Sequence, residues 1–207
     1  MVPGSLNWSL SSTTQLFSVE DSVVNGFRTP KKHLMSESHP KFNLLFLCTG
    51  NSARSIFGEF LLRRTAPTRF NAFSAGAKPR GEVHPMTLRV LKEFFKIDPS
   101  EARSKSWEEF KDGHPTFDFV ITVCENARES CPVWPGQPII AHWSSPDPAA
   151  FQGTDYETFL FFRNVAMQIQ RRIDLFTSLP LEKLDRLRLS EVTREIGTKE
   201  TDLPSVG

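Results

Sequence analysis

From Phe42 onward the chain alternates short unbroken apolar runs with longer stretches whose apolar residues recur at helical spacing. "FNLLFL" (42–47) has the length and continuity of a central parallel strand covered on both faces. The next stretch, about Ser52 to Thr65, sets Ile56, Phe57, Phe60 and Leu61 on one helical face. "RFNAFSAG" (69–76) predicts a second strand closed by a glycine turn. "HPMTLRVLKEFF" (84–95) predicts a helix with Pro85 in its first turn, where a missing N–H costs nothing, and Met86, Val90, Leu91 and Phe94 along one face. "FDFVITV" (117–123) and "QPIIAHW" (137–143) predict strands three and four. A long helix from about Tyr156 to Phe176 follows, built on Phe159, Phe162, Val165, Ile169, Ile173 and Phe176. "LPLEKLDRLRLSEVTREIG" (179–197) predicts a further amphipathic helix whose Leu181, Leu184, Leu187 and Val192 pack against the domain's own surface.

This alternation predicts an α/β fold, a parallel sheet with helices on both faces and right-handed crossovers. Ligands of such sheets bind beyond the carboxyl ends of the strands. Cys48 follows the first strand, Cys124 the third and Asp147 the fourth, so the topology brings three distant, chemically capable residues to one edge. The domain is expected over 42–178, with a C-terminal amphipathic helix and tail over 179–207. Residues 1–41 are rich in Ser, Thr, Asn and Pro without sustained period and are expected to be disordered. Met35, opening "MSESHPKFNLLFLC", would make an ordinary start for the domain.

Composition narrows the function. Of 207 residues, 25 are Lys or Arg and 24 Asp or Glu, a formal charge of +1, so no global field points to nucleic acid or an acidic membrane. No apolar run approaches the ~20 residues of a membrane span, and no secretory signal opens the chain, so a cytoplasmic protein is expected. There the 3 cysteines point to free thiols, metal ligation or redox catalysis.

"CTGNSARS" (48–55) carries the chemistry. A strand turning through small residues into a helix aims backbone N–H groups and the positive end of the helix at one point, a cradle for a tetrahedral oxyanion. Thr49, Gly50, Asn51, Ser52, Ala53, Arg54 and Ser55 are the expected oxyanion-binding residues. Arg54 can close over the anion with a forked grip. Gly50 is expected to supply an unusual torsion, and Asn51, Ser52 and Ser55 to brace the loop or the sulfur. The same field predicts a Cys48 that is largely thiolate near neutral pH. A buried thiol beside a solvated arginine is the bland alternative, which the strand-to-helix context outweighs.

This stretch closely resembles the loop of the low-molecular-weight protein tyrosine phosphatase superfamily, which includes arsenate reductases built on that fold. The resemblance covers about Phe42 to Phe176. It implies the family's four-stranded parallel sheet, Cys48 as nucleophile, Arg54 as oxyanion clamp and Asp147, in "SPDPAAF", as general acid. Against a phosphotyrosine slot stand Ala53 and Ile56, where the phosphatases usually carry cysteine and proline, and Ala149 and Ala150 where they favour aromatics. The only tyrosine is Tyr156. "VTVCENARESCP" instead resembles the redox segment of the thioredoxin-coupled reductases, and "AHWSSPDPA" the stretch around their acid.

What the resemblance then implies is an arsenate reductase. Cys48 forms a thiol-arsenate adduct while Asp147 protonates the departing oxygen, Cys124 releases arsenite by forming a disulfide with Cys48, and Cys131 passes the disulfide outward. "ENARES" between the last two is expected to unwind and to be more mobile than the sheet. The expected reductant is thioredoxin, with glutathione and glutaredoxin as alternatives, and the expected state a monomer. A phosphatase using Cys48, Arg54 and Asp147 is the enzymatic alternative. A thiol-based arsenite or zinc sensor is the non-enzymatic one, disfavoured by the scattered cysteines and the lack of a basic recognition helix. Some family members bind potassium beside the loop, and Glu59 and Ser74 match two of its ligands. "ARSKSW" places Lys105 where the third is sought, so no metal is expected. His84, His114 and His142 read as cap, loop and strand-end residues, and His33 and His39 fall in the N-terminal stretch.

Overall fold

The computed structural model describes residues 40–113 and 115–199. The expectations for the N-terminal extension, Met35, His33, His39 and His114 lie outside them. Four strands, β1 (Phe42–Cys48), β2 (Phe70–Gly76), β3 (Phe119–Thr122) and β4 (Ile139–His142), pair in parallel in the order β2-β1-β3-β4. The chain steps to one side of β1 and then crosses to the other. The reversal opens a crevice at the carboxyl end of β1, where Cys48 lies.

Helix α1 (Arg54–Thr65) follows the Cys48 loop, with Arg63 and Arg64 in the last turn facing the negative end of its dipole. Every residue from Ser55 to Leu62 is buried, because β2 and helix α4 (Asp155–Thr177) enclose it. Gly58 is required there: a Cβ would lie 2.5 Å from the Phe46 ring, so the helix backbone rests directly on the sheet. Strand alternation splits the aromatic core. Phe176 of α4 meets Phe70, Phe119 and Trp143 at centroid distances of 5.5, 5.1 and 5.8 Å on one face. Phe73, of opposite parity to Phe70, packs on Phe110 and Phe117 on the other. Helix α4 starts with a reciprocal cap between Thr154 and Glu157.

The helix predicted over 84–95 is α-helical only over α2 (Pro85–Arg89) and continues as a π turn over Val90–Phe94. The wider turn buries Val90 and Leu91 fully while Phe94 rotates to 41% exposure, contrary to the predicted inward face. A short helix, α3 (Glu125–Glu129), links Cys124 to Cys131. The C-terminal helix is α5 (Arg186–Thr198), preceded by a 3-10 turn over Leu181–Lys183. Leu181 is buried, whereas Leu187 is 73% exposed. Leu189, Thr193 and Ile196 form the buried stripe instead, because the Asp185 cap sets the helix phase. Helix α5 packs on edge strand β4. The Trp143 indole N–H donates to Thr193 O at 3.0 Å, and a Cβ on Gly197 would strike His142 O.

Candidate active site

The loop from Cys48 to Arg54 is held from outside by its carbonyls. Cys48 O, Thr49 O and Gly50 O accept the backbone N–H groups of Ala77, Lys78 and Arg80, and Ser52 O accepts from His84 N and the Thr87 hydroxyl. With its carbonyls turned outward, the loop is free to present N–H groups inward. One of them, Asn51 N, lies 3.1 Å from the Cys48 sulfur. The positive torsion the turn needs is at Asn51 (φ 43°), not at the expected Gly50. Asparagine tolerates that region because its side chain bonds locally, and here it bonds at both ends. Asn51 Nδ2 donates to Ser55 Oγ and Ser74 Oγ, both at 2.9 Å, and Oδ1 accepts Lys105 N at 2.6 Å. Gly50 serves instead as clearance for the Arg80 side chain, 3.3 Å from where its Cβ would be.

Cys48 is buried, and its sulfur lies 2.9 Å from Ser55 Oγ. Burial pushes the thiol pKa up; the Ser55 hydrogen bond and Arg54 pull it down without offsetting the lost hydration, and Cys124 pushes it up further. The expectation of a Cys48 largely ionised near neutral pH is therefore corrected: the thiol form is favoured. The cradle is built, but the sulfur sits too deep for it to win.

Glu59, Ser74 and Lys105 form a buried network below the loop. Lys105 Nζ lies 3.0 Å from Glu59 Oε2, Ser74 donates to the same oxygen at 2.5 Å, and Arg63 reaches Oε1 at 2.5 Å. The residues considered for potassium thus hold an ammonium ion, and they do not fit a metal. Through Ser74 and Asn51 the network continues to Ser55 and so to the Cys48 sulfur.

The loop opens into a cavity of about 420 Å³. Arg54 reaches across it, its NH1 donating to Ser145 O at 3.2 Å and its NH2 lying 3.3 Å from Asp147 Oδ1. Asp147 is 42% exposed and caps the 3-10 turn over Pro148–Ala150, its Oδ1 accepting Ala149 N. Cys124 also lines the cavity at the start of α3, buried, its sulfur 3.3 Å from Thr49 Oγ1. The sequence-predicted Cys48, Arg54, Cys124 and Asp147 therefore share one cavity. Cys131 does not: half-buried beyond α3, it opens into a separate cavity of about 360 Å³ with Arg128, His142 and Arg194. Burial raises its thiol pKa. His142 holds α3 to the sheet, with Nε2 2.9 Å from Glu125 Oε1 and Nδ1 2.8 Å from Thr122 Oγ1. His84 caps α2, as predicted.

The sequence reading missed Lys78 and Arg80, which also border the main cavity. Their signal was available: two cations in the turn after β2, at the edge where the other site residues gather. No aromatic residue borders the cavity among the described residues. Tyr156 stands on α4, 69% exposed.

The family model for low molecular weight phosphotyrosine protein phosphatase matches residues 43–186. The chain belongs to this family. Its relatives in sequence include arsenate reductases: the chain is 35% identical to the arsenate reductase of Halalkalibacterium halodurans over 133 residues, 64% of this chain and 93% of that one. It is 34% identical to the arsenate reductase of Bacillus subtilis over the same shares. Among solved structures, the thioredoxin-dependent arsenate reductase of Corynebacterium glutamicum superposes with a TM-score of 0.54 at 27% identity, over 70% of this chain and 64% of that one. A low molecular weight protein tyrosine phosphatase from T. tengcongensis gives the same TM-score at 22% identity, which speaks to the fold. The family match ends at Arg186, the first residue of α5, so the rest of that helix lies beyond it.

Proposed function

We propose that this protein is an arsenate reductase that works through a Cys48, Cys124 and Cys131 thiol relay. The observation that carries the reading is Cys124: a hydrolase needs one thiol, yet a second buried thiol lines the same cavity as Cys48, Arg54 and Asp147. The similar reductases and the absence, among the described residues, of any aromatic side chain bordering the cavity support the same conclusion.

Arsenate enters between the loop N–H groups and Arg54, which releases Ser145 O and Asp147. An anion against the loop and Arg54 is held by charge-assisted hydrogen bonds, while the Cys48 proton leaves through Ser55 or to the arsenate itself. Cys48 sulfur attacks arsenic, and Asp147 protonates the departing oxygen, which leaves as water. The Cys124 thiolate then attacks the Cys48 sulfur. The sulfur–arsenic pair stays on arsenic, which falls from As(V) to As(III) and departs as arsenite, leaving a Cys48–Cys124 disulfide.

Cys131 next attacks Cys124, freeing Cys48. A disulfide needs Cα atoms within about 7 Å, whereas Cys124 lines the main cavity and Cys131, on the far side of α3, opens into the other. Helix α3 therefore unwinds to join them, which costs little for one short polar turn. Thioredoxin reduces the Cys124–Cys131 bond, with glutathione and glutaredoxin the alternative donors. The proposed relay works in a monomer, and its three free thiols suit the reducing cytosol. Among the described residues no helix is long and apolar enough to cross a membrane.

The test is arsenite formation with thioredoxin, thioredoxin reductase and NADPH. Wild type is expected to turn over repeatedly and Cys131→Ser to stop after about one equivalent. Hydrolysis of aryl phosphates without any arsenite would overturn the reading in favour of a phosphatase.

A further inference from the structure

Arg172, on α4, is 4% exposed and has no carboxylate within ion-pair reach among the described residues. A buried cation without a counter-ion is unfavourable unless other groups replace its hydration. Three acceptors do so. Arg172 NH1 donates to Ser144 O at 2.6 Å and Ser145 Oγ at 3.1 Å, and NH2 to Gly197 O at 3.5 Å, while Nε finds no partner among the described residues. Burial lowers the guanidinium's pKa, as expected of a cation compensated only by dipoles.

The acceptors come from two places that matter. Ser144 and Ser145 begin the loop that carries Asp147, and Ser145 O is the carbonyl on which Arg54 rests. Gly197 is in the last turn of α5, whose terminal carbonyls have no helical donor and form the negative end of the helix dipole. The residue just before this loop, Trp143, is anchored to the same helix, its indole N–H donating to Thr193 O one turn earlier on α5. Gly197 allows this contact, since any Cβ there would overlap His142 O.

We infer that Arg172 is a positioning residue for the general acid: it ties the C-terminal end of α5 to Ser144 and Ser145 and so sets where Asp147 stands. The inference rests on the reading of Asp147 as general acid. It gives the helix beyond the family match a function, which is to brace the acid loop rather than merely to cover a sheet edge. A misplacement of about 1 Å in a reacting group costs on the order of 100-fold in rate, and loss of general-acid catalysis costs roughly 100-fold or more.

The test compares Arg172→Met, Arg172→Lys, Gly197→Ala, Asp147→Asn and the Arg172→Met/Asp147→Asn double variant in steady-state arsenate reduction. Arg172→Met is expected to lower kcat by about 10- to 100-fold with KM within about threefold, because the loop amides and Arg54 still bind the anion. The double variant should be no slower than Asp147→Asn alone, since a misplaced acid cannot be lost twice. Arg172→Lys, which keeps the charge and can reach one carbonyl, should recover part of the rate. Gly197→Ala, whose Cβ would push α5 off His142 O and carry the Gly197 carbonyl away from Arg172, should reproduce the loss with the arginine itself unchanged. Losses that multiply in the double variant, or an Arg172→Met rate equal to wild type, would overturn the inference. If wild type forms no arsenite, the proposed function fails instead, and the same comparisons, made on aryl phosphate hydrolysis, still decide the role of Arg172.

Discussion

Replacing Lys105 with methionine isolates the ammonium beneath the loop. Lys105 and Glu59 are both nearly dry, and the change removes the cation while leaving the carboxylate buried. Breaking a buried pair from one side costs about 3–5 kcal/mol. Arg63 still reaches Oε1 and Ser74 still donates to Oε2, so the lower end, about 3 kcal/mol, is expected. For a chain of this size that is a fall in Tm of about 6–12 °C, and in urea the midpoint should move with the slope unchanged. The double change Glu59→Met/Lys105→Met should be milder than Lys105→Met alone, because no uncompensated carboxylate remains. Exchanging sodium for potassium should leave the wild-type midpoint where it is. A Lys105→Met protein within about 1 kcal/mol of wild type, or a double variant as unstable as the summed singles, would refute the argument.

Ser55→Ala removes the hydroxyl 2.9 Å from the Cys48 sulfur. A hydrogen bond to a charged group is worth about 1.5–3 kcal/mol, so the thiolate population near neutral pH should fall by about 10- to 100-fold. The remaining thiolate is more nucleophilic, so alkylation by iodoacetamide should slow by only about 3- to 10-fold, and an unchanged rate would discount Ser55. Glu125 is held below the usual carboxylate range by its hydrogen bond to His142. A depressed carboxylate stabilises above its unfolded pKa and loses that contribution as pH falls through the folded value. Hydrogen exchange in residues 125–131 should therefore quicken as pH drops below about 4.5, after correction for intrinsic rates, and Glu125→Gln should abolish that dependence. Persistence of the pH dependence in the variant would assign it elsewhere.

The unbroken apolar run of β1 and the repeating Phe, Val and Ile of α4 made the sheet and its main helix readable, because burial on both faces leaves a period a sequence displays. The edge grouping of Cys48, Cys124 and Asp147 followed from topology alone. What was hidden depends on packing. The π turn after Arg89 has no local marker, the left-handed residue proved to be Asn51 beside an available glycine, and the Cys48 pKa turns on depth, which no motif records. Arg172 sits in a charged "RRID" that looks like any solvated helix face.

The most direct test of the account is to map disulfides after one equivalent of arsenate is reduced without external reductant. Wild type should end with Cys124 joined to Cys131 and Cys48 free, and Cys131→Ser with Cys48 joined to Cys124, each with about one arsenite released per chain. Three free thiols beside unreduced arsenate, or arsenite released with Cys124 untouched, would contradict it.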